Sequence, residues 1–434
     1  MDRHIKIPTN RRRNLRSFSL GNDQNEFKFL ENNKPKNLID LCSNDYFGLS
    51  RDKDVINAAF KIGFSEGLGS GSSRFISGSR PIHESLETKL SEWLGQEKIL
   101  LFPSGFQANI AAMQALADRN SIVIADKLIH NSLLVGIKAS GAKLVRFLHN
   151  DLNDLENKLS KHISSRNSII VVVESLYSME GTIAPISEIC KICEKNNVKL
   201  FVDEAHALGI LGPEGKGLCN LFNKSTTLIS GTFGKSFGSG GAFLACNESM
   251  GDYLIQTSGA FRYTTALSPA LAAGALKSLE KIQTNKYWRQ DLFRKTREWK
   301  NKIHNIGKFK IIGDSHILSI IIGDDEETLL LQKYLEKNGY PKSTNDLNNH
   351  KFISFGRGAP SPVFNPDWAL KLGLKDGAKK RKTVMKVNSV YGLLLAVQSG
   401  VGLAALPDYI TVNQPNIVKI LPKIEGPITE AHFV

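Results

Sequence analysis

The chain has 434 residues, of which 41% are hydrophobic and 23% are charged. This composition excludes a chain that is disordered throughout, and the longest aliphatic runs, such as residues 169–173, are too short to cross a membrane. Lys and Arg total 56 and Asp and Glu total 42, so the net charge is +14, which suits nucleic acid, an anionic membrane or a small polyanion.

Short apolar segments alternate with amphipathic segments between residues 38 and 260. The apolar segments predict strands at 99–102, 121–125, 142–147, 168–173, 199–202 and 227–230. The amphipathic segments predict helices at 107–117, 132–139, 151–161 and 186–196. Strands that alternate with such helices are joined by right-handed crossovers. We therefore expect an α/β fold with a mainly parallel sheet and with ligands at the carboxyl ends of its strands.

A helix-rich stretch follows from residue 269 to residue 303, and then come a strand at 316–322 and a helix at 326–338. Beyond Gly339 the composition changes, and Pro, Asn, Gly and Lys predominate as far as Val384. This change predicts a boundary between two parts of the chain.

Two features outside these elements have simple interpretations. The basic cluster formed by Arg11, Arg12, Arg13 and Arg16 is short and lacks interleaved aromatic residues, so we do not expect it to bind nucleic acid. A transit peptide is an alternative interpretation of this cluster, whereas the apolar core of a secretory signal is missing.

The five cysteines are too few for a disulfide scaffold in a chain of this length. Cys190 and Cys193 form a C-x-x-C pair, but no second pair follows at the spacing of a zinc site. Ile186, Ile189 and Ile192 flank the pair at helical spacing, which favours a buried helix face. We expect reduced thiols, a cytoplasmic protein and no metal site.

Lys235 lies in a glycine-rich turn, TFGKSFGSGG, that follows the predicted strand at 227–230. A lysine at such a position can approach a carbonyl cofactor closely and form an imine with it. A surface lysine in a flexible loop is the alternative interpretation of this motif.

Asp203 directly follows another buried strand, and His206 lies three residues further on. A carboxylate at this position can pair with a protonated pyridine nitrogen and keep the ring electron-poor. The alternatives are a helix N-cap and a metal site, although a third ligand is missing at the usual spacing.

A third strand end carries Ser104, Gly105, Phe106 and Gln107, where the free N–H groups of a helix start can bind one phosphate. His130 follows a fourth strand, where its imidazole can stack on a flat ring, although a lone histidine is more often structural. A lysine, an acid, two histidines and a phosphate site at successive strand ends are together typical of an enzyme that uses pyridoxal 5′-phosphate (PLP).

The chain resembles the α-oxoamine synthases, a family of fold-type-I PLP enzymes, from about residue 11 to about residue 340. The motifs that carry this resemblance are SNDYFGL at 43–49, GSGSSR at 69–74, PSGF at 103–106, VDEAH at 202–206 and TFGK at 232–235. It implies a large PLP-binding domain with a mainly parallel sheet.

The resemblance also implies a role for individual residues. Lys235 binds the cofactor covalently, Asp203 pairs with the pyridine nitrogen and His130 stacks on the ring. His206, the fourth catalytic residue, lies with Ser178 beside the phenolic oxygen. Gly105, Phe106 and Thr232 contact the phosphate. Thr265 contacts the phosphate bound by the neighbouring subunit of a homodimer. Asn44 and Arg16 contact the substrate.

The implied reaction is a decarboxylative condensation of an amino acid with an acyl thioester. The subfamily that this sequence resembles uses L-alanine and a pimeloyl thioester of coenzyme A or of an acyl carrier protein, in biotin biosynthesis. Two alternatives stay open. One is a different fold-type-I reaction, such as transamination or aldol cleavage, and the other is a non-catalytic protein with a ligand-sensing role.

Members of this family end in a small domain whose arginine, in a T-x-R-L-R segment, binds the substrate carboxylate, and that segment is missing here. Residues from about 334 onward instead resemble part of the effector-binding domain of LysR-type regulators, above all VNS at 387–389 and AVQSGVGLAALP at 396–407. We expect impaired turnover and an exposed apolar patch at 393–395 and 403–406.

The sequence thus predicts a division into four parts. An N-terminal basic arm occupies 1–37 and the PLP-binding domain 38–265. A helical linker with the start of a truncated small domain occupies 266–340, and a partial, LysR-like α/β segment occupies 341–434.

Overall fold

The computed structural model describes residues 12, 15–21, 26–31, 34–163, 168–306, 310–338, 344, 346–356 and 368–411, and the single residues 414, 417, 420, 421 and 424. Arg11, Arg13 and Gly339, which the sequence patterns include, lie outside these residues. In the part of the chain that the structure describes, no helix is both long and apolar enough to span a membrane.

A small antiparallel sheet and two helices precede the first strand of the main sheet. The strands pair in the order of the chain and are β1 (Ser19–Leu20), β2 (Glu26–Glu31) and β3 (Lys34–Ile39). The helices are α1 (Lys53–Glu66) and α2 (Pro81–Leu94). Asp52 caps α1, because its side chain accepts hydrogen bonds from the first turn, and Lys281 Nζ lies 2.6 Å from Asp52 Oδ1. The sequence patterns do not predict these elements.

The large domain is built on a seven-stranded sheet with the order β4-β10-β9-β8-β7-β5-β6. Neighbouring strands are parallel except for β10, which is antiparallel to β4 and to β9. The predicted α/β fold with a mainly parallel sheet is therefore confirmed. The strands are β4 (Lys98–Phe102), β5 (Ser121–Asp126), β6 (Lys143–Phe147), β7 (Ser168–Glu174), β8 (Lys199–Asp203), β9 (Leu228–Thr232) and β10 (Ala242–Cys246).

Helices cover both faces of this sheet. On β7, Val171 and Val173 pack into one apolar cluster, whereas Ile170 and Val172 pack into a second cluster on the other face. Burial on both faces explains the uninterrupted apolar run of this strand. The helices of this domain are α3 (Gly105–Leu116), α4 (Asn131–Ser140), α5 (Leu152–His162), α6 (Ile186–Lys195), α7 (Glu248–Thr257), α8 (Gly259–Arg262) and α9 (Pro269–Thr284).

The C-x-x-C pair lies on α6, as the helical spacing of its neighbours predicts. Cys190 and Cys193 are both buried in the core, and burial raises the pKa of the Cys193 thiol to about 12. Both thiols therefore stay protonated at neutral pH. Among the described residues, no group of three or more His, Cys, Asp or Glu side chains is arranged to hold a metal ion.

The following segment contains α10 (Lys286–Ile306), β11 (Lys310–Ile312), β12 (Ser319–Ile321) and α11 (Asp325–Asn338), and β11 pairs with β12 antiparallel. The residues between the two strands contact the large domain, because Asp314 N donates a hydrogen bond to Gly181 O at 2.8 Å. The predicted strand at 316–322 is shorter than expected, since its first residues belong to this connection.

The C-terminal part forms two short parallel strands with helices. Its elements are β13 (Phe352–Phe355), α12 (Trp368–Lys371), β14 (Thr383–Val387), α13 (Val390–Gln398) and α14 (Asp408–Thr411). The expectation of an exposed apolar patch at 393–395 and 403–406 is wrong for Leu393 and Leu394, which are buried, and for residues 403–406, which are only partly exposed. It holds for Leu395, which is 46% exposed. The reason is that α13 packs against Ile353 and its neighbours on β13.

Candidate active site

A cavity of about 200 Å³ lies at the carboxyl ends of β7, β8 and β9. This is the edge where parallel strands of an open α/β sheet present their ligand-binding residues. The residues that line it are Gly105, Phe106, Asn109, His130, Ser132, Glu174, Asp203, Ala205, His206, Ser230, Gly231, Thr232 and Lys235.

Lys235 extends into the cavity from the connection between β9 and β10. The side chains of Phe233 and Phe237 are fully buried and fix this connection on both sides of the lysine. Gly238 has a φ of 58°, and a Cβ at this position would lie 2.1 Å from Ser50 N, so only glycine fits. Burial lowers the pKa of Lys235, although the nearby carboxylate of Asp203 opposes this effect. A lowered pKa makes the amine a better nucleophile and base at neutral pH.

Asp203 is the last residue of β8 and is 6% exposed. Its Oδ2 accepts a hydrogen bond of 2.8 Å from Nδ2 of Asn109, and its Oδ1 accepts one of 2.9 Å from the N–H of Ala205. Two donors stabilise the ionised carboxylate in a buried position. Asn109 carries no sequence signal of its own, because it lies inside an apolar helix, α3.

His130 is connected to Asp203 through two further side chains. Its Nδ1 accepts a hydrogen bond from the backbone N–H of Ser132 at 3.2 Å and lies 2.7 Å from Oγ of the same serine. This Oγ accepts a hydrogen bond from Asn109 Nδ2 at 2.9 Å. Because Nδ1 is an acceptor, the neutral ring carries its proton on Nε2. Burial lowers the pKa of His130, so the neutral ring is favoured.

The predicted phosphate site lies at the N-terminus of α3. Ser104 caps this helix, since its Oγ accepts the hydrogen bond of Gln107 N at 3.3 Å. The N–H groups of Gly105 and Phe106 form the first turn, and a helix start of this kind attracts an anion. The position of Thr232 is fixed, because its Oγ1 donates to Gly241 O at 3.0 Å.

His206 lines the cavity from the loop that follows β8. Its Nδ1 lies 2.7 Å from Oη of Tyr46, and burial lowers the pKa of the imidazole to about 2. His316 packs edge-on against the tyrosine, with 4.2 Å between ring centroids. Tyr46 lies within the motif at 43–49, but sequence reasoning assigns it no role.

Glu174 also lines the cavity, at the end of β7, and sequence reasoning does not single it out. It is 2% exposed and lies opposite Asp203 in the register of β7 and β8. Burial raises the pKa of this carboxyl well above its usual value.

Four predicted site residues are not among those that line this cavity. Ser178 is partly exposed in the loop after β7, and Thr265 is exposed. Asn44 is adjacent to the site, because its Oδ1 lies 3.4 Å from Oη of Tyr46. Arg16 lies over the ring of Phe18 at 5.6 Å.

The residues of the cavity fit PLP. Three buried polar atoms in its lining, Asn109 Oδ1, Glu174 Oε1 and Ser230 Oγ, have no hydrogen-bond partner in the described structure. Buried polar atoms are nearly always paired, so a polar ligand is expected here. An amine, a carboxylate and a helix N-terminus match the carbonyl, ring nitrogen and phosphate of this cofactor.

The aminotransferase class I and II family model matches residues 36–343. The chain belongs to this family. The 8-amino-7-oxononanoate synthase of Salmonella paratyphi B is 38% identical over 304 residues, which are 69% of this chain and 78% of the relative. The solved structure of serine palmitoyltransferase from Sphingomonas wittichii is 29% identical in sequence and has a TM-score of 0.67. The match covers 71% of this chain and 77% of the palmitoyltransferase chain.

A variant of serine palmitoyltransferase from S. paucimobilis, solved with a bound PLP–myriocin aldimine, is also similar. It is 29% identical and has a TM-score of 0.66, and the match covers 70% of this chain and 78% of the palmitoyltransferase chain. This member of the class I and II aminotransferase family is therefore of the PLP-dependent α-oxoamine synthase type, and its cofactor is PLP. The resemblance to α-oxoamine synthases that the sequence motifs indicate is confirmed.

Proposed function

We propose that the protein condenses L-alanine with a pimeloyl thioester, of coenzyme A or of an acyl carrier protein, to give 8-amino-7-oxononanoate for biotin biosynthesis. The observation that carries this proposal is the convergence of Lys235, Asp203 and His130 on one cavity beside the N-terminus of α3. The similarity to synthases of this name supports the substrate assignment.

Bound PLP supplies an electron sink for negative charge at the α-carbon of the amino acid. Asp203 sustains this property, because its buried carboxylate favours a proton on the ring nitrogen. His130 holds the flat ring from one face, and its neutral imidazole adds no positive charge there. Gly105, Phe106 and Thr232 anchor the phosphate.

Lys235 has two functions in this proposal. It holds the cofactor covalently, and its amine, once released, removes the α-proton of alanine. The α-carbon then forms a bond to the thioester carbonyl carbon, the carbon–sulfur bond breaks and the thiol leaves with the proton that Lys235 removed. The bond to the alanine carboxylate breaks to release carbon dioxide, and a proton from solvent replaces it at the same carbon.

Product analysis tests this proposal. The purified protein is incubated with PLP, L-alanine and either pimeloyl-coenzyme A or the pimeloyl carrier protein, and the products are identified by mass spectrometry. We expect 8-amino-7-oxononanoate, carbon dioxide and free thiol in equal amounts, and no product from Lys235→Ala. Transfer of the amino group to a keto acid, without loss of carbon dioxide, would show an aminotransferase instead.

The protein is also proposed to be a homodimer. Large apolar side chains are exposed between Phe64 and Ile76 and at Tyr263, including Phe64 at 87%, Leu68 at 80%, Ile76 at 80% and Tyr263 at 81%. The two segments are adjacent, because the guanidinium of Arg262 lies 5.8 Å from the ring centre of Phe75. Large apolar side chains exposed close together are typical of an interface. Thr265 is next to this region in sequence, which agrees with its predicted contact to a neighbouring subunit. Analytical ultracentrifugation at micromolar concentration would reveal a monomer if this assignment is wrong.

For the C-terminal part we propose a LysR-like effector-domain segment at 341–434, separate from the basic arm at 1–37, the PLP-binding domain at 38–265 and the linker at 266–340. The parallel pair of β13 and β14 and the packing of α13 support an α/β unit. A ligand-sensing protein without catalysis is the second candidate function, and the absorption band of bound PLP distinguishes it from the enzyme.

Buried cysteines agree with a cytoplasmic location.

A further inference from the structure

Going beyond the proposed reaction, we propose that Glu174 is a neutral carboxylic acid beside Asp203 and donates a hydrogen bond to the phenolic oxygen of bound PLP, in addition to the contacts of His206 and Ser178 that the family resemblance implies. This inference rests on the proposed function for the identity of the cofactor. It assigns a role to a buried acid that the proposed reaction does not use.

The first argument is the distance between the two acids. Glu174 and Asp203 are paired residues at the ends of two neighbouring parallel strands, β7 and β8, and both line the cavity. Neighbouring strands lie about 4.8 Å apart, so two ionised carboxylates here would repel each other strongly. One of the two acids is therefore expected to hold a proton.

The hydrogen bonds indicate which acid is ionised. Asp203 accepts from the Asn109 amide and from the N–H of Ala205, whereas Oε1 of Glu174 has no partner in the described structure. A carboxylate with two donors favours its charged form, and a buried oxygen without a donor favours the protonated form. The proton thus belongs on Glu174.

Four other groups act on Glu174. Asp203 on β8 and Glu180 in the loop after β7 favour the proton on Glu174. Lys235, after β9, and the backbone N–H of His130, before α4, oppose it. Burial has the largest effect, and it favours the neutral form. The balance of these groups agrees with the distribution of the hydrogen bonds.

The order of the strands places Glu174 on the phenolic side of the cofactor. Thr232, beside the phosphate site, ends β9, Asp203 ends β8 and Glu174 ends β7, and these strands are neighbours in that order. In PLP the phosphate arm and the phenolic oxygen lie on opposite sides of the line from the ring nitrogen to the carbonyl carbon. With the ring nitrogen at Asp203 and the phosphate beyond Thr232, the phenolic oxygen of a bound cofactor would face β7.

Two measurements test this inference, with Glu174→Gln, Glu174→Leu and the control Glu180→Gln. The first is the infrared carbonyl band of a protonated carboxylic acid in the cofactor-free protein. Glu204 is also buried and its pKa is raised, so the readout is the difference spectrum between the parent and each variant. We expect Glu174→Gln to remove one carboxylic acid band and Glu180→Gln, in a partly exposed residue of the loop after β7, to remove none. A difference spectrum of Glu174→Gln without a lost carboxylic acid band would overturn the inference.

The second measurement is the dissociation constant of PLP, together with the absorption spectrum of the bound cofactor between pH 6 and 9. Glutamine keeps a neutral donor, so we expect a change of less than about threefold and the parent spectrum, whereas leucine removes the donor and should weaken binding about tenfold. Equal affinity and equal spectra for the leucine variant would refute the donor role. A parent protein that takes up no PLP would instead refute the proposed function, while the infrared band would still report on the proton of Glu174.

Discussion

The Oη of Tyr46 lies 2.7 Å from Nδ1 of His206 and connects the loop before α1 to the loop after β8. Burial raises the pKa of the tyrosine, so its hydroxyl stays protonated and donates to the histidine. Nδ1 of His206 is then an acceptor and Nε2 carries the ring proton. A residue far away in sequence thus determines which nitrogen of a cavity-lining histidine can donate a hydrogen bond.

Tyr46→Phe tests this relationship. It removes the hydroxyl and leaves Nδ1 of His206 without its donor, so we expect PLP to bind about five- to tenfold more weakly, which corresponds to about 1 kcal/mol. Fluorescence titration with PLP measures the effect. Tyr287→Phe, at a tyrosine that is 68% exposed, is the control and should bind PLP like the parent. Equal weakening in both variants would speak against a specific role of the hydroxyl.

Lys235 is expected to be the sole site of covalent cofactor attachment. Its position in the cavity and its lowered pKa both favour reaction with a carbonyl group. Borohydride reduction of the PLP-loaded protein, followed by peptide mass spectrometry, should find the modification on this residue. Lys235→Ala should lose it, whereas Lys224→Ala, at an exposed lysine, should keep it. Labelling of another lysine at the same stoichiometry would remove the assignment.

Asn109→Ala is expected to reduce turnover by about 10- to 100-fold while the fold is retained. The variant removes the amide that donates to Asp203 Oδ2 at 2.8 Å, and a hydrogen bond to a buried charged group contributes about 1.5–3 kcal/mol. Steady-state kinetics and circular dichroism give the two readouts. Asn120→Ala, in an exposed turn, is the matched control. Full activity of Asn109→Ala would show that Asp203 needs only the N–H of Ala205.

The protein should become less stable in acid through His83. This side chain is 0% exposed, and its Nε2 lies 2.8 Å from Leu267 O. Burial lowers the pKa of the imidazole to about 4. The unfolded chain binds a proton near pH 6.5, so this contribution is present above that pH and is lost as the pH falls toward 4, with a total on the order of 3 kcal/mol. Urea unfolding between pH 4 and 8 measures it.

The control for this acid effect is His162→Gln, at a partly exposed histidine that ends α5. His83→Gln should flatten the dependence of the unfolding free energy on pH in this range, and His162→Gln should not. An unchanged slope in His83→Gln would show that other groups cause the acid sensitivity.

Turnover is expected to be slow in this chain. The family match ends at residue 343, and the segment with the carboxylate-binding arginine of α-oxoamine synthases is missing from the sequence. Loss of a contact of about 3 kcal/mol lowers the rate about 100-fold. The comparison is a chimaera in which residues after 343 are replaced by the corresponding segment of a relative. Equal rates for both proteins would mean that residues after 343 supply a substitute cation.

Much of the large domain is predictable from sequence. A strand that is buried on both faces consists of consecutive apolar residues, and such a run is visible in the sequence. The runs at 121–125 and 168–173 are found in β5 and β7 within one residue at each end. β10 is missed, since Ala242–Cys246 is short and follows a glycine-rich turn that reads as a loop. Its antiparallel direction depends on the pairing with β4, which local sequence does not encode.

The residues of the candidate site also differ in whether the sequence alone predicts their role. Lys235, Asp203 and His130 are recognisable because each follows a strand end and has chemistry of its own. Asn109 and Glu174 are not, because one lies within a helix and the other extends an apolar strand. Their importance arises only when packing brings them to Asp203.

The connection that carries Lys235 has a consequence for motion. Its two ends are joined by the hydrogen bonds from Phe233 N to Gly241 O and from Ser239 N to Phe233 O, both 2.9 Å long. The backbone of the lysine is therefore held by the sheet itself and cannot swing without breaking strand pairing. The amine can change position only by rotation about its own side-chain bonds, which takes picoseconds to nanoseconds when a side chain is free to turn. An added residue between Phe233 and Gly241 would disturb this arrangement even though it leaves every catalytic group in place.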